Sequence, residues 1–224
     1  MYAQVLPDDA PVVILLPGLT GGSDDTYVRY AVRYAEEHGV RAVVFNSRGC
    51  GDTTLTTPQF YSSLFIGDLE AVVAHVAELY PHSVLFATGW SLGANILVNY
   101  LGTVGRNTPL SAAASLCNPF NLTIGIGELE RGFNKLYDVN LAKAMGGMVQ
   151  RNAKVWHNAG PEFRMDIAAK SPSVRAWDDA ITRVSFGACG ARGFSPGVLV
   201  AAESGSCDSM LSCVCAVGQP GCAL

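Results

Sequence analysis

The 224 residues are enough for one substantial domain with a buried core, 49% of them apolar and 15% charged. A net charge of −4 without any basic run gives no electrostatic footprint for binding nucleic acid. No apolar stretch reaches the ~18 residues of a membrane span, and MYAQVLPDDAPVV lacks the basic and apolar regions of a secretory signal, so an intracellular location is expected.

Residues 12–16, VVILL, form a short continuous apolar run that ends in Pro17-Gly18, the habit of a strand buried on both faces in a parallel sheet. The Gly-rich loop GLTGGSDD follows. Tyr27, Tyr30, Ala31, Tyr34 and Ala35 then recur at helical spacing, with Asp25 or Thr26 placed to cap the start and Gly39 to stop the helix. Residues 40–45 read as a second buried strand leading into the loop NSRGCGDTTLTTP. Ile66, Leu69, Val72, Val73, Val76 and Leu79 mark one face of a helix that Pro81 terminates. SVLFA at 83–87 is a third strand, residues 95–101 continue as helix, and residues 112–116 make a weaker fourth strand ending at Asn118-Pro119. Strand and helix alternating at this spacing specify a parallel α/β sheet with right-handed crossovers.

From 121 to 186 the strand signal stops, and ELERGFNKLYDVNLAKAMGGMVQRNAKVWHNA and SVRAWDDAITRVSF read as helices of a cap-like segment. After Gly187 the chain holds three charges and no periodic apolar face. The expected division is therefore a partial core over 1–120, a helical cap segment over 121–187 and an irregular tail over 188–224. Cys50 and Cys117 stand alone, while Cys189, Cys207, Cys213, Cys215 and Cys222 fall in the tail without nearby histidine, so no metal site is expected. Asp52 and Asp68 are read as turn or cap residues. Asn121-Leu122-Thr123 matches a glycosylation sequon, expected to stay unmodified without a signal peptide.

Chemistry concentrates in ATGWSLGAN. Gly89-Trp90-Ser91-Leu92-Gly93 lies between a strand and a helix, the context in which two glycines allow a sharp turn that exposes a nucleophilic serine hydroxyl. The Leu92 N–H, at the helix start, would face a developing oxyanion. A second donor is expected from the loop 17–22, from the Leu19 N–H with Thr20 as the alternative.

LLPGLTGGSDDTYVR, FNSRGCGDTTLTTPQFY, GWSLGANILVNYLG, CNPFNL and SVRAWDDAITRVSFG together resemble the embryogenesis-associated (YheT-like) branch of the α/β hydrolases over about 12–187. The resemblance implies an incomplete α/β-hydrolase fold, its four strands in spatial order 4-3-5-6 of the family's numbering. It also implies a serine carboxylesterase or lipase acting on medium-chain acyl esters, monoacylglycerols or phospholipids, with no cofactor. Full-length relatives would touch membranes through an N-terminal segment. In that family an aspartate follows the strand after the cap and a histidine follows the last strand. Here the matching residues begin near the family's third strand and stop at Gly187, so the chain is expected to be truncated at both ends.

The base must then come from four histidines. His38 ends a helix, where positive charge favours the dipole, and His75 and His82 are expected at the surface. His157, paired with Asp138, satisfies the chain order as a weaker alternative. The resulting expectation is an ester hydrolase site with nucleophile Ser91 and the rest of the triad missing, hence little turnover. The alternative is an inactive fragment or acyl-binding module of the same fold. Oligomeric state and head group are left open.

Overall fold

The computed structural model describes residues 6–157 and 159–186. The expectation for the tail over 188–224 lies outside the described residues. The described residues fall into two compact units. One takes those up to Asn46 with Ser63–Asn118; the other takes Ser47–Ser62 with those from Pro119 on.

The first unit is a four-stranded parallel sheet, β1 (Val12–Leu16), β2 (Arg41–Val44), β3 (Leu85–Trp90) and β4 (Leu110–Leu116), in the order β2-β1-β3-β4. This is the expected spatial order. VVILL takes a central position, with Val12, Ile14, Leu15 and Leu16 all buried, which is why its apolar run is unbroken. β3 runs past SVLFA to Trp90, because Thr88 pairs with Leu15 and Ala114, and Trp90 with Leu116. Helices α1 (Thr26–Glu37), α2 (Gly67–Leu79) and α3 (Leu92–Val104) are the crossovers. Right-handed connections in this strand order put α1 on one face and α2 with α3 on the other. Leu85, Ala87 and Gly89 accordingly point to α3 and are buried, while Phe86, Thr88 and Trp90 are half-buried on the opposite face.

Two expected faces turn out differently. α1 buries Val28 and Ala35, whereas Tyr30 and Tyr34 remain 68% and 65% exposed. Small side chains let α1 approach the sheet closely, so the tyrosine stripe looks outward and lines a shallow groove with Arg33 and Glu37. On α2, Leu69, Val73 and Val76 are buried but Leu79 is exposed in the last turn. Gly39 does stop α1: with φ +73 it lets its own N–H reach the Glu36 carbonyl and Val40 N–H reach Ala35, a glycine-closed helix end. Asp25 occupies the cap position, yet its carboxylate accepts from the Gly22 N–H instead.

The second unit is helical: α4 (Leu122–Leu129), α5 (Lys135–Arg151), α6 (Ala153–Trp156), α7 (Met165–Ala168), α8 (Val174–Trp177), a π-helix over Asp178–Thr182, and α9 (Arg183–Ser185). The sequon residue Asn121 caps α4, its side-chain oxygen accepting from Ile124 N–H at 3.1 Å. Residues 47–62 join this unit through Asn152, which accepts from Leu55 N–H at 3.1 Å and donates to the Met148 carbonyl at 2.9 Å. Phe60 packs between Trp156 and Trp177, with ring centroids 5.1 and 5.5 Å away.

Within the π-helix, burial pushes the Asp178 carboxyl up to about 6, and a Thr182 hydroxyl donating at 2.7 Å only partly opposes this. The folded state therefore holds the Asp178 proton more tightly than the unfolded chain does. Stability should fall as pH rises from 3.8 to about 6 and stay lower above that. Asp178→Asn is expected to flatten this slope and to raise stability at pH 7 by up to about 3 kcal/mol. Urea unfolding at pH 4, 5, 6 and 7 reads it. An unchanged slope in the variant would refute the assignment.

Candidate active site

Ser91 sits at the junction of β3 and α3, exposed to solvent, with φ 51° and ψ −116°. A non-glycine residue holds that conformation only when its surroundings fix it. The Ser91 N–H donates to the Leu116 carbonyl at 2.9 Å, which locks the turn to β4. Both flanking glycines answer to sterics. A Cβ on Gly89 would stand 2.6 Å from the backbone of Ala94, and one on Gly93 would stand 2.3 Å from the carbonyl oxygens of Leu16 and Pro17. α3 therefore leaves the strand at a distance that only glycine permits at these two positions.

The first amide of α3 to find an intrahelical partner is Asn95, bonded to the Ser91 carbonyl at 3.1 Å. Leu92, Gly93 and Ala94 precede it, and such amides concentrate the positive end of the helix dipole. In the loop after β1 most amides are accounted for. Gly18 donates to the Tyr27 hydroxyl at 3.0 Å, Gly21 to the Gly18 carbonyl at 3.0 Å, Gly22 to Asp25 Oδ2 at 3.0 Å and Ser23 to Asn46 Oδ1 at 2.8 Å. Gly18 to Gly21 form a β-turn with Thr20 at φ 63°. The Leu19 amide lies within this turn and takes no hydrogen bond among the described residues. Gly18 itself backs onto the nucleophile, since a Cβ there would be 3.3 Å from Ser91 Cβ.

A ladder of amides under the turn went unread in the sequence. Asn95 Nδ2 donates to Asn118 Oδ1 at 3.2 Å, Asn118 Nδ2 to Ser115 Oγ at 3.1 Å, and Asn99 Nδ2 to both Asn95 Oδ1 and the Ser63 carbonyl. The ladder ties the first turn of α3 to the end of β4, where Cys117 also has positive φ. The available signal was a pair of asparagines four apart in the otherwise apolar ANILVNYL.

None of the three histidines of this unit hydrogen-bonds to Ser91. His38 donates Nδ1–H to the Tyr34 carbonyl at 2.8 Å, and His75 and His82 are exposed. In the helical unit Asp138 is buried and accepts the Val174 N–H at 2.8 Å, at the start of α8. His157 is exposed just past α6, and no hydrogen bond joins it to Asp138. Among the described residues, no group of three or more His, Cys, Asp or Glu is placed to hold a metal ion, and no helix is long and apolar enough to cross a membrane. Cys50 and Cys117 form no disulfide.

A parallel sheet in this order, with a glycine-flanked serine at positive φ between strand and helix, defines an α/β hydrolase. The family model described as alpha/beta hydrolase fold matches residues 11–166, and the chain belongs to that family. Within it, the similarity runs to the embryogenesis-associated branch. Embryogenesis-associated protein EMB8 from Picea glauca is 52% identical over 184 residues, which are 81% of this chain and 40% of that protein. Phospholipase ABHD3 from Mus musculus is 39% identical over 79% of this chain and 43% of its own. Monoacylglycerol lipase from Saccharomyces cerevisiae is 34% identical over 83% and 44% respectively. The chain thus spans less than half the length of these relatives.

Proposed function

We propose that the chain carries the acyl-transfer site of a serine ester hydrolase, with Ser91 as nucleophile and the Leu19 and Leu92 amides receiving the oxyanion. The observation that carries this reading is Ser91 held exposed at φ 51° beside amides that lack partners. Its Oγ would bond to the ester carbonyl carbon as the carbonyl electron pair moves onto oxygen and a base takes the hydroxyl proton. Collapse expels the alcohol, which regains a proton, and water releases the acid from the acyl-serine. The proposed substrates are medium-chain acyl esters, monoacylglycerols or phospholipid-like esters, met at a membrane surface by peripheral contact. The names of the phospholipase and lipase relatives support that class.

On this reading the 224-residue chain provides no internal base at Ser91, and the remaining pair, Asp138 with His157, is the alternative. Added imidazole replaces a missing histidine base, so it supplies the test. Hydrolysis of p-nitrophenyl butyrate by the chain is expected to rise with imidazole well above the same mixture with Ser91→Ala. Equal rates for the two proteins would remove Ser91 as nucleophile. Ester binding without rescue would favour the second reading, an acyl-binding module.

A further inference from the structure

The hydroxyl of Tyr27, on the second residue of α1, receives the Gly18 N–H at 3.0 Å. Its ring meets Trp90 edge to face, centroids 5.4 Å apart at 71°. One side chain therefore touches both the loop after β1 and the residue before the nucleophile. Gly21 closes on it as well, since a Cβ there would stand 3.0 Å from the Tyr27 hydroxyl. Gly18 and Gly21 are the first and last residues of the β-turn that contains Leu19.

We propose that Tyr27 is the positioning residue of the oxyanion pair, a phenol clamp that fixes where the Leu19 amide points relative to Ser91. The proposal rests on the reading of Ser91, Leu19 and Leu92 given above. Its physical content is simple. The Leu19 peptide carries no hydrogen bond of its own on the N–H side, so its direction depends on the two ends of its turn. One end is set by Tyr27 Oη, and the turn bond from Gly21 to Gly18 transmits that constraint. An amide aimed in advance binds a developing oxyanion without reorganisation, and a freely rotating one does not. The edge contact to Trp90 keys the same phenol to the strand end that presents Ser91, so loop and nucleophile share one reference point.

Tyr27→Phe removes the acceptor oxygen and keeps the ring against Trp90. The test follows backbone amides of the 224-residue chain by NMR while n-butylphosphonate, an anionic mimic of the tetrahedral intermediate, is titrated in. In the parent protein the Leu19 and Leu92 amides should shift together and saturate, and Ser91→Ala should retain this response because the probe bonds to no serine. In Tyr27→Phe, the Leu19 response should saturate at about fivefold higher phosphonate, the worth of one neutral hydrogen bond. The Gly18 amide should exchange with solvent about tenfold faster, with the urea midpoint held. Unchanged Gly18 exchange, or an identical titration in both proteins, overturns the clamp and leaves the Ser91 reading standing. A parent protein in which neither amide responds overturns the oxyanion reading, and the clamp with it.

Discussion

Alanine at position 93 is expected to cost the first unit more than about 3 kcal/mol, the effect of overpacking against groups that cannot move aside. The added Cβ would lie 2.3 Å from two successive backbone carbonyl oxygens, those of Leu16 and Pro17, at the end of a central strand. Relief would require α3 to withdraw from β1, and the same movement would expose Ala94, Ile96 and Leu97, now 0–2% accessible. Gly89→Ala should behave similarly, because its obstacle is the backbone of Ala94 at 2.6 Å. Gly127→Ala is the control. Nothing lies within 4 Å of a Cβ there, in α4, and the change should stabilise slightly as helix propensity improves. Urea unfolding of the three variants gives the comparison. A Gly93→Ala protein within about 1 kcal/mol of the parent would show that the close approach of α3 is not what requires glycine.

The second large effect concerns turnover. On the proposed reading that no base of this chain serves Ser91, the unassisted chain should hydrolyse p-nitrophenyl esters at no more than the ~10³–10⁴-fold over water that binding and an oxyanion hole supply alone. Rapid hydrolysis that disappears in Ser91→Ala would defeat this. The same result would make Asp138 and His157 the leading acid and base, and His157→Ala would then have to abolish it. In the described structure the Asp138 carboxylate receives the Val174 N–H at 2.8 Å on one oxygen and has no hydrogen bond to His157.

Legibility in the sequence followed how local each cause was. VVILL announced its strand to the residue because a central parallel strand needs apolar side chains on both faces. The extension of β3 to Trp90 was harder to see, since Gly89 has poor strand propensity and is held by its neighbours in the sheet. The tyrosines of α1 had the right period and the wrong face. Periodicity identifies an amphipathic helix, but Val28 and Ala35 win the inner side because they allow a closer approach. The π-helix over Asp178–Thr182 left no trace, as its extra residue per turn is a tertiary accommodation. At the site, Gly89, Ser91 and Gly93 were legible because the motif states a steric requirement. Tyr27 and the Asn95–Asn118 pair were not, because their partners lie on other elements and no local pattern marks them.

The backbone at Ser91 also bears on how such a chain drifts over generations. A side chain at φ 51°, ψ −116° costs on the order of 1–3 kcal/mol that glycine would not. Selection for stability alone would therefore replace this serine with glycine, relieving the strain and leaving the glycine-flanked turn otherwise intact. The pressure for chemistry and the pressure for folding point to different residues at 91. A lineage that no longer needed the hydroxyl would be expected to lose it early, ahead of the two glycines that the packing of α3 independently requires.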